Sequence, residues 1–205
     1  MGNLVILNMP FSQLKKVWKG TKFLPKLKVL DLGYSQYLTC TRDFSGVPNL
    51  ETLNLEYCPR LVEVHESIDR LSKLVEWNLL FCRSLKNLTS SINKLALLET
   101  LNIHSCLKLE KLPKGIGNLT RLTRLIASST AIEELPSALG LLKNLTKFSY
   151  DISIHSHSSS LGVSFSENVK KAATCFASPT QSQSSLGASL YGLRSLKDLN
   201  LTYRS

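Results

Sequence analysis

The sequence predicts an α/β solenoid, a horseshoe with short parallel strands on its concave face and helical or 3₁₀ returns on its convex face. Three observations predict it. Cys58, Cys82 and Cys106 stand 24 residues apart, and each closes the same phrase of leucine, two residues, bulky apolar, one residue, aliphatic, two residues, cysteine. Within a phrase apolar and polar residues alternate, as Leu53 and Leu55 do with Thr52, Asn54 and Glu56, the pattern of a strand with one buried face. Between phrases the apolar residues recur at spacings of three and four, as in Leu61, Val64, Ile68, Leu71 and in Leu109, Leu112, Ile116, Leu119. That spacing suits a helical or 3₁₀ crossing, which two repeats open with Leu112-Pro113 and Leu135-Pro136.

The phrase extends in both directions. Its starting leucines, Leu4, Leu27, Leu50, Leu74, Leu98, Leu122 and Leu145, are 23 or 24 residues apart, within the range of leucine-rich repeats. Counting from that leucine, place four holds Leu7, Leu30, Leu53, Trp77, Leu101, Leu125 and Phe148. Place six holds Met9, Leu32, Leu55, Leu79, Ile103, Ala127 and Tyr150, where the small Ala127 weakens its strand. An eighth unit returns at Leu196, Leu199 and Leu201. No such unit can bury its apolar face alone, so stability must come from stacking.

Organisation follows from the period. Residues 1–152 form about seven repeats, 153–189 a serine-rich insertion, and 190–205 a final partial repeat. Leu145 and Leu196 are 51 residues apart, about two periods, yet 153–189 carries twelve serines and only scattered apolar residues. Such a composition is expected to stay poorly ordered as a surface loop within or between repeats. The chain opens inside a repeat at Leu4 and closes just after Leu201, which is expected of a fragment with apolar edges at both ends.

Place nine turns inward at the end of the strand. Serine and threonine share it with cysteine, at Ser12, Ser35 and Thr130, which argues for packing rather than chemistry. Three thiols in one column cannot all pair, and with Cys40 and Cys175 the count of five is odd. The expectation is buried reduced thiols in a cytosolic protein, since no secretory apolar segment opens the sequence. The repeat supplies no further ligands for zinc, and His65, His104, His155 and His157 form no ligand set.

The runs Asn3 to Gly20, Leu27-Lys-Val-Leu-Asp-Leu32, Asp43-Phe-Ser-Gly-Val-Pro-Asn-Leu-Glu51, Leu61-Val-Glu-Val-His-Glu-Ser-Ile68, Thr130-Ala-Ile-Glu-Glu-Leu-Pro136 and Leu193-Arg-Ser-Leu-Lys-Asp-Leu-Asn-Leu201 carry a resemblance. They resemble the leucine-rich-repeat domain of plant intracellular disease-resistance receptors, most of all the class with a Toll/interleukin-receptor domain and a nucleotide-binding domain. The likeness spans nearly the whole chain apart from about 155 to 187. Arg42 departs from it, standing where proline is common. The resemblance implies a non-enzymatic, cytoplasmic or nuclear domain that takes part in effector recognition and autoinhibition, in defence signalling. Its partners would be a pathogen effector or guarded host protein, and the neighbouring nucleotide-binding domain. No cofactor is expected in this chain, and ADP or ATP belongs to a separate nucleotide-binding domain. No phosphate-binding loop occurs, and Gly115-Ile-Gly117 lacks a third glycine. Four Asn-Leu-Thr triplets, at Asn87, Asn118, Asn144 and Asn200, fall where the repeat itself favours Asn-Leu. The alternative is a generic repeat scaffold assembling signalling partners, or a truncated receptor relic.

Two surfaces are candidates for contact. The net charge is +10, and residues 1–30 hold Lys15, Lys16, Lys19, Lys22, Lys26 and Lys28 with no acid before Asp31. Lys15, Lys16, Lys19 and Lys22 are either a solvated face or a docking patch for an acidic partner such as the nucleotide-binding domain. Nucleic acid is disfavoured because aromatics do not interleave regularly with these lysines as a single-strand platform requires, Trp18 and Phe23 alone standing among them, and no membrane segment is evident. On the concave face, place eight carries Phe11, Tyr34, Tyr57 and Phe81, then Ser105 and Ser129. Place five carries Asn54, Asn78 and Asn102, and place seven Glu56, Leu80 and His104. Aromatics beside amides suit a protein-binding surface, while the same residues could instead pack over strand ends and bridge rungs. Limited proteolysis is expected to cut first within 155–187, and protection of that stretch would overturn the loop reading.

Overall fold

In a computed structural model, residues 2–18, 22–153, 190 and 192–204 are described. The strands are β1 (Ile6–Asn8), β2 (Val29–Asp31), β3 (Thr52–Asn54), β4 (Glu76–Asn78), β5 (Thr100–Asn102), β6 (Arg124–Ala127), β7 (Lys147–Ser153) and β8 (Asp198–Arg204). They form one sheet in chain order, every pair parallel. The register matches like places: Leu7 pairs with Leu30, Leu30 with Leu53, Leu53 with Trp77, Trp77 with Leu101, Leu101 with Leu125, and Leu125 with Phe148. The fold class read from the periodicity is therefore the fold observed.

Four of the returns are 3₁₀ helices rather than α-helices. Glu66–Arg70, Ile92–Lys94, Lys114–Asn118 and Ser137–Leu141 each close on a leucine whose backbone N–H reaches the carbonyl three residues back, the tighter bonding of this helix. Pro113 and Pro136 stand at the N-caps with extended backbone, φ −65° and −64°. In the Glu66–Arg70 return the His65 ring does this work, its Nδ1 accepting from the Ser67 N–H at 3.2 Å. Adjacent returns pack backbone to backbone, and a Cβ on Gly117 would lie 2.2 Å from the Ala138 carbonyl oxygen. That contact requires glycine.

One continuous core runs under the sheet, from Val17 and Phe44 through Trp77 to Phe148 and Leu193. Phe44 fills the second return, with Trp18 edge-on at 6.2 Å. Ala127 leaves space at place six, and its partner in register is Tyr150. Tyr150 is buried, and its hydroxyl donates to the Ile132 carbonyl at 2.9 Å. A large neighbour thus offsets a small one.

β7 pairs directly with β8 over seven residues, Lys147 with Asp198 through Ser153 with Arg204. The two-period interval between Leu145 and Leu196 therefore adds no rung to the sheet between those strands. Ser153 ends β7, and residues 154–189 of the serine-rich insertion lie outside the described residues.

Leu101 is fully buried between Trp77 and Leu125. Leu101→Ala is expected to lower unfolding free energy by about 2–5 kcal/mol in chemical denaturation, whereas Leu141→Ala, at a site 57% exposed, is expected to change it little.

Candidate protein-interaction surface

After place six each strand turns off the sheet by the same device. The place-five side chain accepts the N–H two residues on: Asp31 from Gly33 at 2.8 Å, Asn54 from Glu56, Asn78 from Leu80 and Asn102 from His104, each at 3.1 Å. Such short polar side chains favour local turns. Place eight then enters the left-handed region, with φ of 58° at Phe11, 60° at Tyr34, 52° at Tyr57, 59° at Phe81, 58° at Ser105 and 56° at Ser129. For a non-glycine residue this conformation costs about 1–2 kcal/mol. Interstrand bonding continues through it, since the Phe11, Tyr34, Tyr57 and Phe81 N–H groups donate to the carbonyls of Gly33, Glu56, Leu80 and His104.

The left-handed turn lifts the aromatic rings onto one another. Phe11 and Tyr34 stack at 4.9 Å, Tyr34 and Tyr57 at 4.7 Å, and Tyr57 and Phe81 at 4.5 Å, with interplanar angles of 22°, 6° and 27°. These separations repeat the strand spacing of roughly 4.8 Å, and each pair adds about 0.5–1.5 kcal/mol. His104 closes the column edge-on to Phe81 at 5.7 Å, and the Arg83 guanidinium lies over Phe81 at 5.4 Å. Phe11 is 70% exposed and Tyr34 and Tyr57 each 37%, so the stack shows its edges to solvent. Tyr34, Tyr57 and Phe81 line a shallow depression with Gln36, Pro59 and Arg83 from place ten. The periodicity had singled out the rings but not their place-ten neighbours, which the tight turn after place nine brings alongside.

The neighbouring amides are bonded rung to rung. Asn54 Nδ2 donates to Asp31 Oδ1 and Asn78 Nδ2 to Glu56 Oε2, both at 3.0 Å. Asn54 and Asn78 therefore use side-chain donor and acceptor alike within the sheet. His104 Nδ1 lies 2.8 Å from Ser128 Oγ, and Leu80 is half-buried. Loss of solvent, then the Glu56 carboxylate and Tyr57, push the Tyr34 phenol above its ordinary pKa.

The basic patch lies elsewhere, along a second ladder beyond place nine. Lys16 bridges Cys40, and Cys40 bridges Glu63. The Lys15 carbonyl accepts from the Thr39 N–H and hydroxyl. Lys15, Lys16 and Lys22 are exposed; Lys19 lies outside the described residues. Lys26 donates to Asn3 at 2.9 Å and Lys28 pairs with Glu51 at 2.9 Å, so the lysines nearest the strands have partners within the fold.

The cysteine column is internal. Cys58, Cys82 and Cys106 are fully buried and unpaired, and their thiols donate to the place-six carbonyls of the preceding repeat: Leu32 at 3.4 Å, Leu55 at 3.1 Å and Leu79 at 3.3 Å. Burial pushes Cys58 up to about 11, Cys106 up to about 12 and Cys82 well above the ordinary thiol value. The fold thus holds the neutral thiol, while thiols of an unfolded chain ionise near pH 9. Their contribution is complete below that pH and is lost as pH rises through 11 to 12. Under reducing conditions the urea midpoint is expected to fall across this window, and to fall less steeply for the Cys58→Ser, Cys106→Ser double variant. Equal slopes would remove the thiols from the account.

Among the described residues no group of three or more His, Cys, Asp or Glu side chains is gathered as a metal would need, and no helix is long and apolar enough to cross a membrane. Residues 3–22 match the family model described as Leucine Rich Repeat. Over 72 residues, 35% of this chain, the sequence is 46% identical to TMV resistance protein N of Nicotiana glutinosa. It is 43% identical over 72 residues, again 35% of the chain, to disease resistance protein RPV1 of Vitis rotundifolia, and 47% identical over 73 residues, 36% of the chain, to disease resistance protein RPP2A of Arabidopsis thaliana. The match spans only 6%, 5% and 6% of those proteins. The fold matches the plant peptide hormone receptor RGFR1, solved in complex with RGF2, with a TM-score of 0.55 at 24% identity, over 73% of this chain and 25% of that one. It also matches the leucine-rich repeat domain of the type III effector XopL, with a TM-score of 0.55 at 26% identity, over 62% of this chain and 43% of that one. Register and repeat chemistry make this chain a leucine-rich-repeat solenoid, and over about a third of its length its sequence is similar to plant disease-resistance proteins.

Proposed function

We propose that this chain is the sensing and protein-interaction domain of a plant immune receptor of the class with Toll/interleukin-receptor and nucleotide-binding domains. In that role it takes part in recognising a pathogen effector or a guarded host protein, and restrains the nucleotide-binding switch until then. The observation that carries the reading is the stacked aromatic column, whose edges stay open to solvent along the rim of the sheet. Rings already held by their neighbours lose little freedom when a partner covers them. Likeness of 43–47% to disease-resistance proteins supports the immune setting. Lys15, Lys16 and Lys22, all exposed, together with Lys19, are assigned to docking an acidic face of the nucleotide-binding domain. Recognition and restraint then use separate surfaces, cofactor chemistry stays in the nucleotide-binding domain, and the receptor works in the cytoplasm or nucleus.

The test uses the full-length product of the gene, expressed in leaf tissue. Phe11→Ser, Tyr34→Ser, Tyr57→Ser is expected to abolish the pathogen-elicited response while leaving the receptor silent at rest. Lys15→Glu, Lys16→Glu, Lys22→Glu is expected to weaken co-precipitation with the nucleotide-binding domain and to give a response without pathogen. A wild-type response from the aromatic variant would remove the column from sensing. Unchanged association and restraint in the lysine variant would remove the docking role.

A further inference from the structure

The charge of the concave face runs against that of the chain. Places two to seven of β2 to β5 hold five carboxylates, Asp31, Glu51, Glu56, Glu76 and Glu99, against one lysine, Lys28, while the whole chain is +10. Lys28 is bound to Glu51 at 2.9 Å, Asp31 and Glu56 accept from the place-five amides, and among the described residues neither Glu76 nor Glu99 is paired with a cation. Both are exposed. Glu76 sits at place three of β4, which points out of the core by strand parity, and Glu99 stands one residue before β5. The next rungs reverse sign with Arg124 and Lys147, and Lys147 is bound to Asp198 at 3.0 Å. The acidic stretch is therefore bounded, and the aromatic column lies along its far edge, past the Glu56 carboxylate.

We propose that the concave face of β2 to β5, with the Tyr34–Tyr57–Phe81 ledge as its wall, docks a basic polypeptide segment of the partner protein. The inference rests on the reading of this chain as a protein-recognition domain, and names the chemistry of what it recognises. Lysine or arginine side chains of the segment meet Glu76 and Glu99, which have no competing cation, and its apolar side chains lie along the ring edges. Complementarity of this kind fixes register and rejects acidic segments through like-charge contact. It also makes the concave face the place where a chain of strong positive charge can attract a basic partner at all.

The test is selection of a random displayed-peptide library on the purified chain. Enriched sequences are expected to carry net positive charge with apolar residues, and to bind more weakly as salt rises. Glu76→Lys, Glu99→Lys is expected to weaken a selected peptide by about tenfold or more. Glu133→Lys, Glu134→Lys adds the same charge on the return side and is expected to leave binding unchanged. Tyr57→Ser tests the ledge without losing the fold, since Ser105 and Ser129 hold the same backbone conformation, and is expected to weaken binding as well. Enriched peptides that are acidic or neutral, or equal losses in the two charge variants, overturn the basic partner and leave the recognition reading standing. No enrichment at all overturns both.

Discussion

Everything in this molecule answers to the parallel, in-register ladder, which sets each residue about 4.8 Å from the residue at the same place in the next repeat. A residue type is suited to a place when it pairs well with a copy of itself at that distance. Leucine does so under the sheet, cysteine does so by reaching the preceding carbonyl, amides do so by having both a donor and an acceptor, and aromatic rings do so by stacking. Charges do so poorly, because like charges directly opposite repel, although Arg124 and Lys147 do face each other in register. The carboxylates of the concave face obey this: Glu51, Glu56, Glu76 and Glu99 never share a place in adjacent rungs, while Lys28 faces Glu51 and Lys147 faces Asp198. Staggering lets an acidic face form without acidic neighbours in register.

The same ladder accounts for six left-handed residues that are not glycine. Turning the chain off the sheet at place eight still leaves its N–H bonded to the carbonyl of the next rung, so the strained turn carries no buried donor without a partner. Ser105 and Ser129 hold the conformation with no ring at all. The backbone turn therefore does not require an aromatic side chain, and the rings on Phe11, Tyr34, Tyr57 and Phe81 are surplus to the needs of the fold. A large, half-exposed apolar group that the fold does not need is the kind of feature expected of a contact surface.

How much of this could be read from the residues depends on what periodicity encodes. Inward places show directly in the sequence, because only apolar or small residues survive there. Leu30 and Trp77 could be assigned to the core, and the exchange of Cys58 with Thr130 marked a packing position whose hydroxyl in turn finds the Ala127 carbonyl. Left-handed φ at Tyr34 could not be read, since no glycine or asparagine stands there to signal it. The amides of Asn54 and Asn78 read equally well as outward contact groups and as rung bridges, because only the register decides whether Asp31 or Glu56 lies within reach. The 51 residues between Leu145 and Leu196 fitted two periods by arithmetic, and only the direct pairing of Phe148 with Leu199 shows that they separate neighbouring rungs.

The end of the turn series has a local cause. Place eight of the seventh repeat is Ile152, and β-branched residue types rarely enter the left-handed region. The chain keeps to the extended conformation instead, and β7 runs on to Ser153 with β8 matching it to Arg204. The preceding rung then loses the carbonyl that its place-eight N–H would have met, and Asp151 supplies one oxygen of its carboxylate to the Ser129 N–H at 2.5 Å while Thr202 holds the other. A side chain completes a bond that the backbone makes in every earlier repeat. One branched residue thus fixes where the turned rim stops and the extended rungs begin, and with it the length of sheet along which a stacked column can be built.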